Sequence, residues 1–196
     1  MQQNIIPMKN LVATFFLLFS SLVLAQKPCE IDTNVNDSLG TYKSTKQQLI
    51  FERNFAGNSN SIYFSLSNTN GVLAVEVQFL QKSHDFIKAN CLDAGSKIFL
   101  QLNNGKIVTL LHTGNDTCGT LIRDDKNANN RVMSGTFLFA KENFEELKTS
   151  PVTFMRIKYS GETIDYPFKT KLVSELNHST TEPEKYFIDY LKCIEN

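Results

Sequence analysis

Along the chain, apolar and polar residues alternate in short runs, and glycine turns between the runs fix how they pair. Ile62-Tyr63-Phe64-Ser65-Leu66 and Val75-Glu76-Val77-Gln78-Phe79 flank an Asn70-Gly71 step. Asn-Gly favours a two-residue type I′ turn, because both central residues must tolerate positive φ. Folded there, Leu66 faces Val75, Phe64 faces Val77 and Ile62 faces Phe79, while Ser65 meets Glu76 and Tyr63 meets Gln78. One face is apolar and the other polar, which predicts a half-buried antiparallel hairpin.

The same reasoning at Asn104-Gly105 pairs Leu102 with Ile107, Leu100 with Thr109 and Ile98 with Leu111. Its other face sets Phe99 opposite Leu110 and Gln101 opposite Val108. Both faces then read as largely apolar, which predicts strands near the middle of the fold with cover on each side. A turn at Ser160-Gly161 pairs Ile157 with Ile164 and Met155 with Tyr166, and it sets Arg156 opposite Asp165. That ion pair reads as an exposed cross-strand contact worth about 0–1 kcal/mol, not as a site. Pro167 ends the pairing or marks an edge.

Further strands are expected at Gln48–Arg53, Thr120–Arg123 and Val132–Ala140. Two short helices are expected. Lys141–Thr149 carries Phe144 and Leu147 on one side, and Thr181–Cys193 begins with Thr181 and Glu184 at capping-box spacing and Pro183 in its first turn. Tyr186, Phe187, Tyr190 and Leu191 form an apolar stripe on the second helix, which reads as core packing. Many short strands punctuated by turns predict a mainly β fold. We expect an antiparallel β-sandwich, immunoglobulin-like or similar, with a short internal helix and a C-terminal helix docked on it. No internal repeat, low-complexity tract or domain boundary interrupts residues 26–196, which read as a single β-sandwich-like domain.

The N-terminus changes the picture by suggesting a compartment. Leu11 to Ala25 is an apolar run of 15 residues preceded by Lys9. A membrane span needs about 20 apolar residues, so residues 1–25 read as a signal peptide, with Val23 and Ala25 as the small residues before cleavage at Gln26. Met8-Lys9-Asn10 offers a second possible start. A lipid anchor would need cysteine directly after the cleavage point, but Gln26-Lys27-Pro28 intervenes before Cys29. The mature chain is therefore expected to be exported to the periplasm, the cell surface or the medium, with no membrane anchor. Its 20 basic and 20 acidic residues become 19 and 20 once Lys9 is lost, which argues against nucleic acid as a partner. Trp is absent, which lowers the reading of a carbohydrate-binding sandwich without excluding it.

Cys29, Cys91, Cys118 and Cys193 form an even set, and in an exported chain disulfides are the default. No CxxC occurs and the gaps fit no zinc site. Of the three possible connectivities, Cys91–Cys118 with Cys29–Cys193 is preferred. Extending the register of the Asn104-Gly105 hairpin brings Cys91 opposite Cys118, and the remaining pair would tie the mature N-terminus to the last helix.

Candidate chemistry is otherwise thin. His84, His112 and His178 are isolated, with no HExxH or H-x-H spacing. His84-Asp85 lacks the GxSxG elbow that would mark a hydrolytic triad. Two Asn-rich segments supply oxygen ligands at calcium-loop positions 1, 3 and 5: Asp32, Asn34 and Asn36, then Asp125, Asn127 and Asn129. At positions 6 and 12 they carry Asp37 and Lys43, or Asn130 and Thr136, where such a loop needs Gly and Glu, so both read as polar turns. Asn36, Asn115 and Asn177 occupy N-x-S/T sequons. No catalytic, cofactor-binding or metal-binding residue is assigned, and no cofactor is expected.

A DxxxG segment early in the mature chain is followed by "GSKIFLQLNNGKIVTL", by "FLFAKENFEELKTSPVTFMRIKY" and by a terminal helix with cysteine. This series resembles small, uncharacterised exported β-rich proteins of Bacteroidetes-type bacteria over most of the mature chain. The resemblance implies the same architecture and an envelope location, and it implies no activity. The expectation is an exported non-enzymatic binding or interaction domain whose partner is an unknown protein or envelope component. The alternatives are a hydrolase-type enzyme with a dispersed site and a structural accessory subunit of an envelope assembly. A pocket joining His84 or His112 to a carboxylate would favour the enzyme. Exposed apolar surface or an unpaired edge strand would favour binding.

Overall fold

The computed structural model describes residues 27–140 and 143–195, so the expected signal peptide, residues 1–25, lies outside the described residues. Strands β1 (Ile31–Asp37), β2 (Gly40–Thr45), β3 (Gln48–Phe55), β4 (Asn58–Thr69) and β5 (Val72–Ser83) form the first part of the chain. β6 (Lys97–Leu102), β7 (Ile107–Thr113), β8 (Thr120–Arg123), β9 (Asn129–Phe139), β10 (Val152–Lys158) and β11 (Thr163–Pro167) form the second. All join one antiparallel 11-stranded sheet in the order β1-β2-β4-β5-β9-β7-β6-β10-β11, with β3 also on β4 and β8 also on β9. The mainly β, antiparallel fold expected from the alternation is the one the chain adopts.

The sheet is continuous, yet it makes both layers of the sandwich by curling over. The ring of Phe51 on β3 meets that of Tyr166 on β11 at 5.0 Å, and Phe79 on β5 meets Tyr159 beyond β10 at 5.8 Å. Those strands lie far apart in the hydrogen-bonded order, so their inner faces oppose one another across the core. Ile62, Phe64, Leu66, Val75 and Val77 from one layer are buried against Ile98, Leu100, Val108, Leu110, Met155 and Ile157 from the other.

One end of this interior is plugged. Helix α1 (Tyr186–Ile194) buries Tyr186, Phe187, Tyr190 and Leu191, as its apolar stripe predicts. Phe187 packs on Phe64 and Phe139, each at 6.2 Å, and Phe139 packs in turn on Phe144 of the 3-10 turn Phe144–Lys148 at 4.9 Å. That turn is the described part of the expected internal helix. The Asn68 amide donates to the Ile194 carbonyl at 2.7 Å, fixing the helix end to β4. The expected capping box does not form. A 3-10 turn, Pro183–Lys185, leads into the helix without a side-chain cap, and the Thr181 hydroxyl donates to the Leu49 carbonyl at 2.7 Å instead. Binding β3 satisfies that hydroxyl better than a fraying helix end. Around it, the short strands β12 (Leu172–Val173) and β13 (Thr180–Thr181) lie against β3.

The Asn70-Gly71 and Ser160-Gly161 hairpins have the expected registers, residue for residue. Asn70 (φ 52°) and Gly71 (φ 85°) supply the two positive dihedrals of the first turn. The middle hairpin corrects the expectation by one residue: Leu100 faces Val108, Ile98 faces Leu110 and Gln101 faces Ile107. Its loop is Asn103-Asn104-Gly105, closed by the Gly105 N–H donating to the Leu102 carbonyl at 2.9 Å, and only Gly105 (φ 83°) takes the left-handed region. Tertiary contacts select this longer loop. The Asn103 N–H donates to the Pro151 carbonyl at 2.8 Å, and the Asn104 amide donates to the Glu146 carboxylate at 2.8 Å.

A one-residue slip exchanges the faces of a strand. Ile98, Leu100, Leu102, Val108 and Leu110 therefore share a single buried face, while Ile107 and Leu111 stay 50% and 40% exposed. The expected cover on both sides is absent.

Candidate functional site

The interior that α1 closes at one end is open at the other, and the strand registers show how. Across β3, β4, β5 and β9, Phe51, Ile62, Phe79 and Met133 stand side by side as the last apolar row of the core. Two residues further along each strand, on the same inner face, stand Arg53, Asn60, Gln81 and Arg131. Beyond them come Phe55 paired with Asn58, and Ser83 paired with Asn129. The inward-facing positions thus change from apolar to polar in one step, and the concave face becomes a groove of about 500 Å³ lined by Arg53, Phe55, Asn58, Asn60, Gln81 and Phe86, among others.

The groove wall is held by its neighbours. Arg131 reaches sideways, donating to the carbonyls of Cys118 at 2.9 Å and Ile87 at 3.4 Å. The Asn129 amide donates to the Asp85 carbonyl at 2.9 Å, and the Asp85 N–H donates to the Ser83 hydroxyl at 2.9 Å. With Ile87 buried, these bonds pin the segment after β5 at both sides of Phe86, whose ring is left 82% exposed. On the opposite side, β3 and β4 are joined by Ala56-Gly57, with φ of 49° and 80°. A left-handed alanine costs about 1–2 kcal/mol. That tight turn leaves Phe55 72% exposed at the strand end. Two aromatic rings so exposed, on two separate elements, rim the same depression.

Under the polar row lies a narrow cleft reaching Tyr159 and Tyr166, whose hydroxyls are buried and 3.0 Å apart. Burial pushes both phenols above their ordinary range, so they remain neutral hydrogen-bonding groups. Of the charged residues lining the groove, Lys82 is committed to Asp124 at 2.6 Å. That hydrogen bond, together with the Ala128 N–H and the Asn130 amide, holds the Asp124 carboxyl well below the usual carboxylate range. Arg53 and Asp85 have no ion-pair partner among the described residues, and the amides of Asn58, Asn60 and Gln81 make no intramolecular hydrogen bond there.

The groove contains none of the residues weighed from the sequence as candidate chemistry except Asp85. The cysteines form two bridges in the preferred pairing, Cys29–Cys193 and Cys91–Cys118, as in a protein that matures in an oxidising compartment. The second is set by a local antiparallel bridge, Leu92 to Thr117, with backbone hydrogen bonds of 2.7 and 2.9 Å. That bridge recovers the register which the hairpin itself does not keep. His84 is exposed, and His112 is buried with its ring against Phe137 and its Nδ1–H donating to the Asp93 carbonyl at 2.9 Å. Neither meets a carboxylate among the described residues. His178 lies on an exposed turn with φ 59°.

The first Asn-rich segment is the β1–β2 hairpin, an extended pair and not a loop. In the second, Asp124 rather than Asp125 organises the turn, accepting from the N–H groups of Lys126 and Ala128. Among the described residues no group of three or more His, Cys, Asp or Glu side chains converges as a metal site would require. Arg156 and Asp165 form the expected exposed cross-strand pair, and the structure shows it to be two-pronged, at 2.6 and 2.8 Å. Among the described residues no helix is long and apolar enough to cross a membrane.

The polar row was visible in the sequence as a phase. Asn58 and Asn60 continue the alternation of Ile62, Phe64 and Leu66, and Gln81 and Ser83 continue that of Val75, Val77 and Phe79. Polar residues that keep the inward phase of a strand are the signal for a groove. Comparison with protein-family models, with curated proteins and with solved structures gives no match in any of the three.

Proposed function

We propose that this chain is an exported, non-enzymatic binding domain that takes its ligand in the groove at the open end of the curled sheet. One observation carries the reading: Arg53, Asn58, Asn60 and Gln81 present uncommitted polar groups on a concave face between two highly exposed rings, Phe55 and Phe86. Asn60 and Gln81 are half-buried, where polar groups are normally hydrogen-bonded within the protein, and two exposed rings bordering one depression form an apolar rim of the kind that marks interaction sites. A ligand supplying hydrogen bonds to the amides and apolar surface to the rings satisfies both. The two disulfides and the signal-like N-terminus support a site of action in the periplasm, on the cell surface or in the medium. The resemblance to small envelope proteins agrees with that location.

The test is ligand mapping by amide NMR on the oxidised protein, screened against pools of oligosaccharides, peptides and small metabolites. Binding is expected to move the signals of residues 53–60 and 81–87. Ligands that move only other signals, or no ligand in any pool, sink the proposal.

A further inference from the structure

Resting on that binding reading, the geometry points to a class of ligand: we infer that the groove takes a neutral carbohydrate, an oligosaccharide chain lying across the polar row with sugar faces against Phe55 and Phe86. Four features of the site lead there.

The first is which groups are available. The floor is the face of the sheet where β4, β5 and β9 are each paired along both edges, so a ligand lying on it finds no free main-chain donors or acceptors, and only β3 at the groove side has a strand partner on one edge alone. Recognition falls to side chains. The second is their chemistry. Asn58, Asn60 and Gln81 each offer two N–H donors and a carbonyl acceptor from one planar group. A sugar hydroxyl also donates and accepts, so adjacent hydroxyls can bridge such amides in pairs, whereas a purely donating or purely accepting ligand would leave half of each amide unsatisfied.

The third is charge. With Lys82 held by Asp124 and the Arg131 guanidinium engaged by the carbonyls of Cys118 and Ile87, the open lining keeps one guanidinium, Arg53, and one carboxylate, Asp85, neither paired within the protein. Charges of both signs stand there without a cluster of either, which favours neither a polyanion nor a polycation. The fourth is the position of the rings. Phe55 and Phe86 stand at the rim and not in a closed apolar pocket, with the polar row between them. That layout suits a molecule with a polar edge and weakly apolar C–H faces. A hydrophobic peptide side chain would instead seek an enclosed pocket. Phenylalanine here does the stacking that the missing Trp would otherwise supply. Beneath, the neutral hydroxyls of Tyr159 and Tyr166 extend the same donor–acceptor chemistry inward from Asn60 and Gln81.

The experiment titrates the oxidised protein to millimolar concentration with neutral glucan, mannan and xylan oligosaccharides. Uronic-acid oligosaccharides and a neutral peptide pool are titrated in parallel, all followed by amide NMR. At least one neutral oligosaccharide is expected to shift groove signals. Phe55→Ala, Phe86→Ala and Gln81→Ala are each expected to weaken it about tenfold, a change of about 1.4 kcal/mol. Both rings are largely exposed, so the two phenylalanine variants should unfold at the wild-type temperature. A lost affinity is then a lost contact and not a lost fold. If only the peptides or only the uronic-acid chains shift groove signals, the carbohydrate class is overturned and the binding reading stands. If the sugars bind away from the groove, the inference also fails. If nothing shifts the groove, both readings fall together.

Discussion

Opening the Cys29–Cys193 bridge should cost more than opening Cys91–Cys118, and the size of the difference follows from the chain itself. The two bridges close sequence separations of 164 and 27, the shorter nested within the longer. In the chain-entropy account the cost of leaving a loop open grows with the logarithm of its length, giving about 5 kcal/mol for the outer bridge and about 3.5 kcal/mol for the inner. Nesting shortens the effective outer loop only slightly and leaves the figure near 5 kcal/mol.

The folded state barely changes in either case. Helix α1 remains docked through Tyr186, Phe187 and Leu191, and Leu92–Thr117 still pairs by backbone hydrogen bonds. Cys29→Ala/Cys193→Ala and Cys91→Ala/Cys118→Ala are the variants to compare, alanine being chosen because Cys193 is buried and alanine adds no polar group there. Urea unfolding measures both. The outer variant should lose roughly 1.5 kcal/mol more than the inner one. It should also show the steeper denaturant dependence, because its unfolded chain expands further. A domain has only about 5–15 kcal/mol to lose, so the outer variant will sit close to its folding threshold. If the inner variant is equally or more destabilised, the entropic account fails, and native contacts around Leu92 must carry the effect.

Three further outcomes follow from packing, turn geometry and titration. Phe64→Ala removes a fully buried ring that touches Tyr186 and Phe187, and should cost about 3–5 kcal/mol in urea unfolding; a loss below 1.5 kcal/mol would mean that α1 does not seal the core as described. Gly105→Ala meets no atom within 4 Å, so its cost is the backbone strain of φ 83° alone, about 1–2 kcal/mol. An unchanged melting temperature in Gly105→Ala would contradict the three-residue turn. Asp124, Asp165 and Glu146 are held below their ordinary range by Lys82, Arg156 and Lys106 respectively, so the stability they add is present above about pH 4 and is lost as pH falls further. Asp124→Asn should flatten that acid limb of a stability–pH curve, and an unchanged limb would show that the turn does not need its carboxylate.

Legibility in the sequence depended on how many loop lengths each turn allowed. Asn70-Gly71 and Ser160-Gly161 stand alone between alternating runs, and their registers could be read directly. Asn103-Asn104-Gly105 admits a two- or a three-residue loop from the same letters. The choice rests on Pro151 and Glu146, which are distant in sequence and have no local signature. β1 and β2 have no strand signature because they carry little apolar alternation: at the sheet end, Asp32, Asn34 and Asn36 resemble a ligand loop more than a strand. The disulfide pairing is legible from a register that the hairpin does not keep, and the Leu92–Thr117 bridge restores it just before the cysteines. The groove was recorded in the phase of Asn58, Asn60, Gln81 and Ser83. It becomes visible only when four strands are aligned, because no single strand shows that its inward polar residues have neighbours of the same kind.

The outer bridge also governs how the molecule can be handled. Cys29 and Cys193 have Cα atoms 5.5 Å apart, and the helix end is bonded to Asn68. Both ends of the described chain therefore meet at one extremity of β4, while the groove opens at Asn58. The 12-residue strand between them spans about 36 Å. A tag or surface linker fused at either end would hold every molecule with its groove pointing away from the support. The same adjacency allows a short peptide to join the two ends, with new ends opened at the exposed tip of the β1–β2 hairpin around Leu39. Such a permutant would offer an independent attachment point without disturbing the rim.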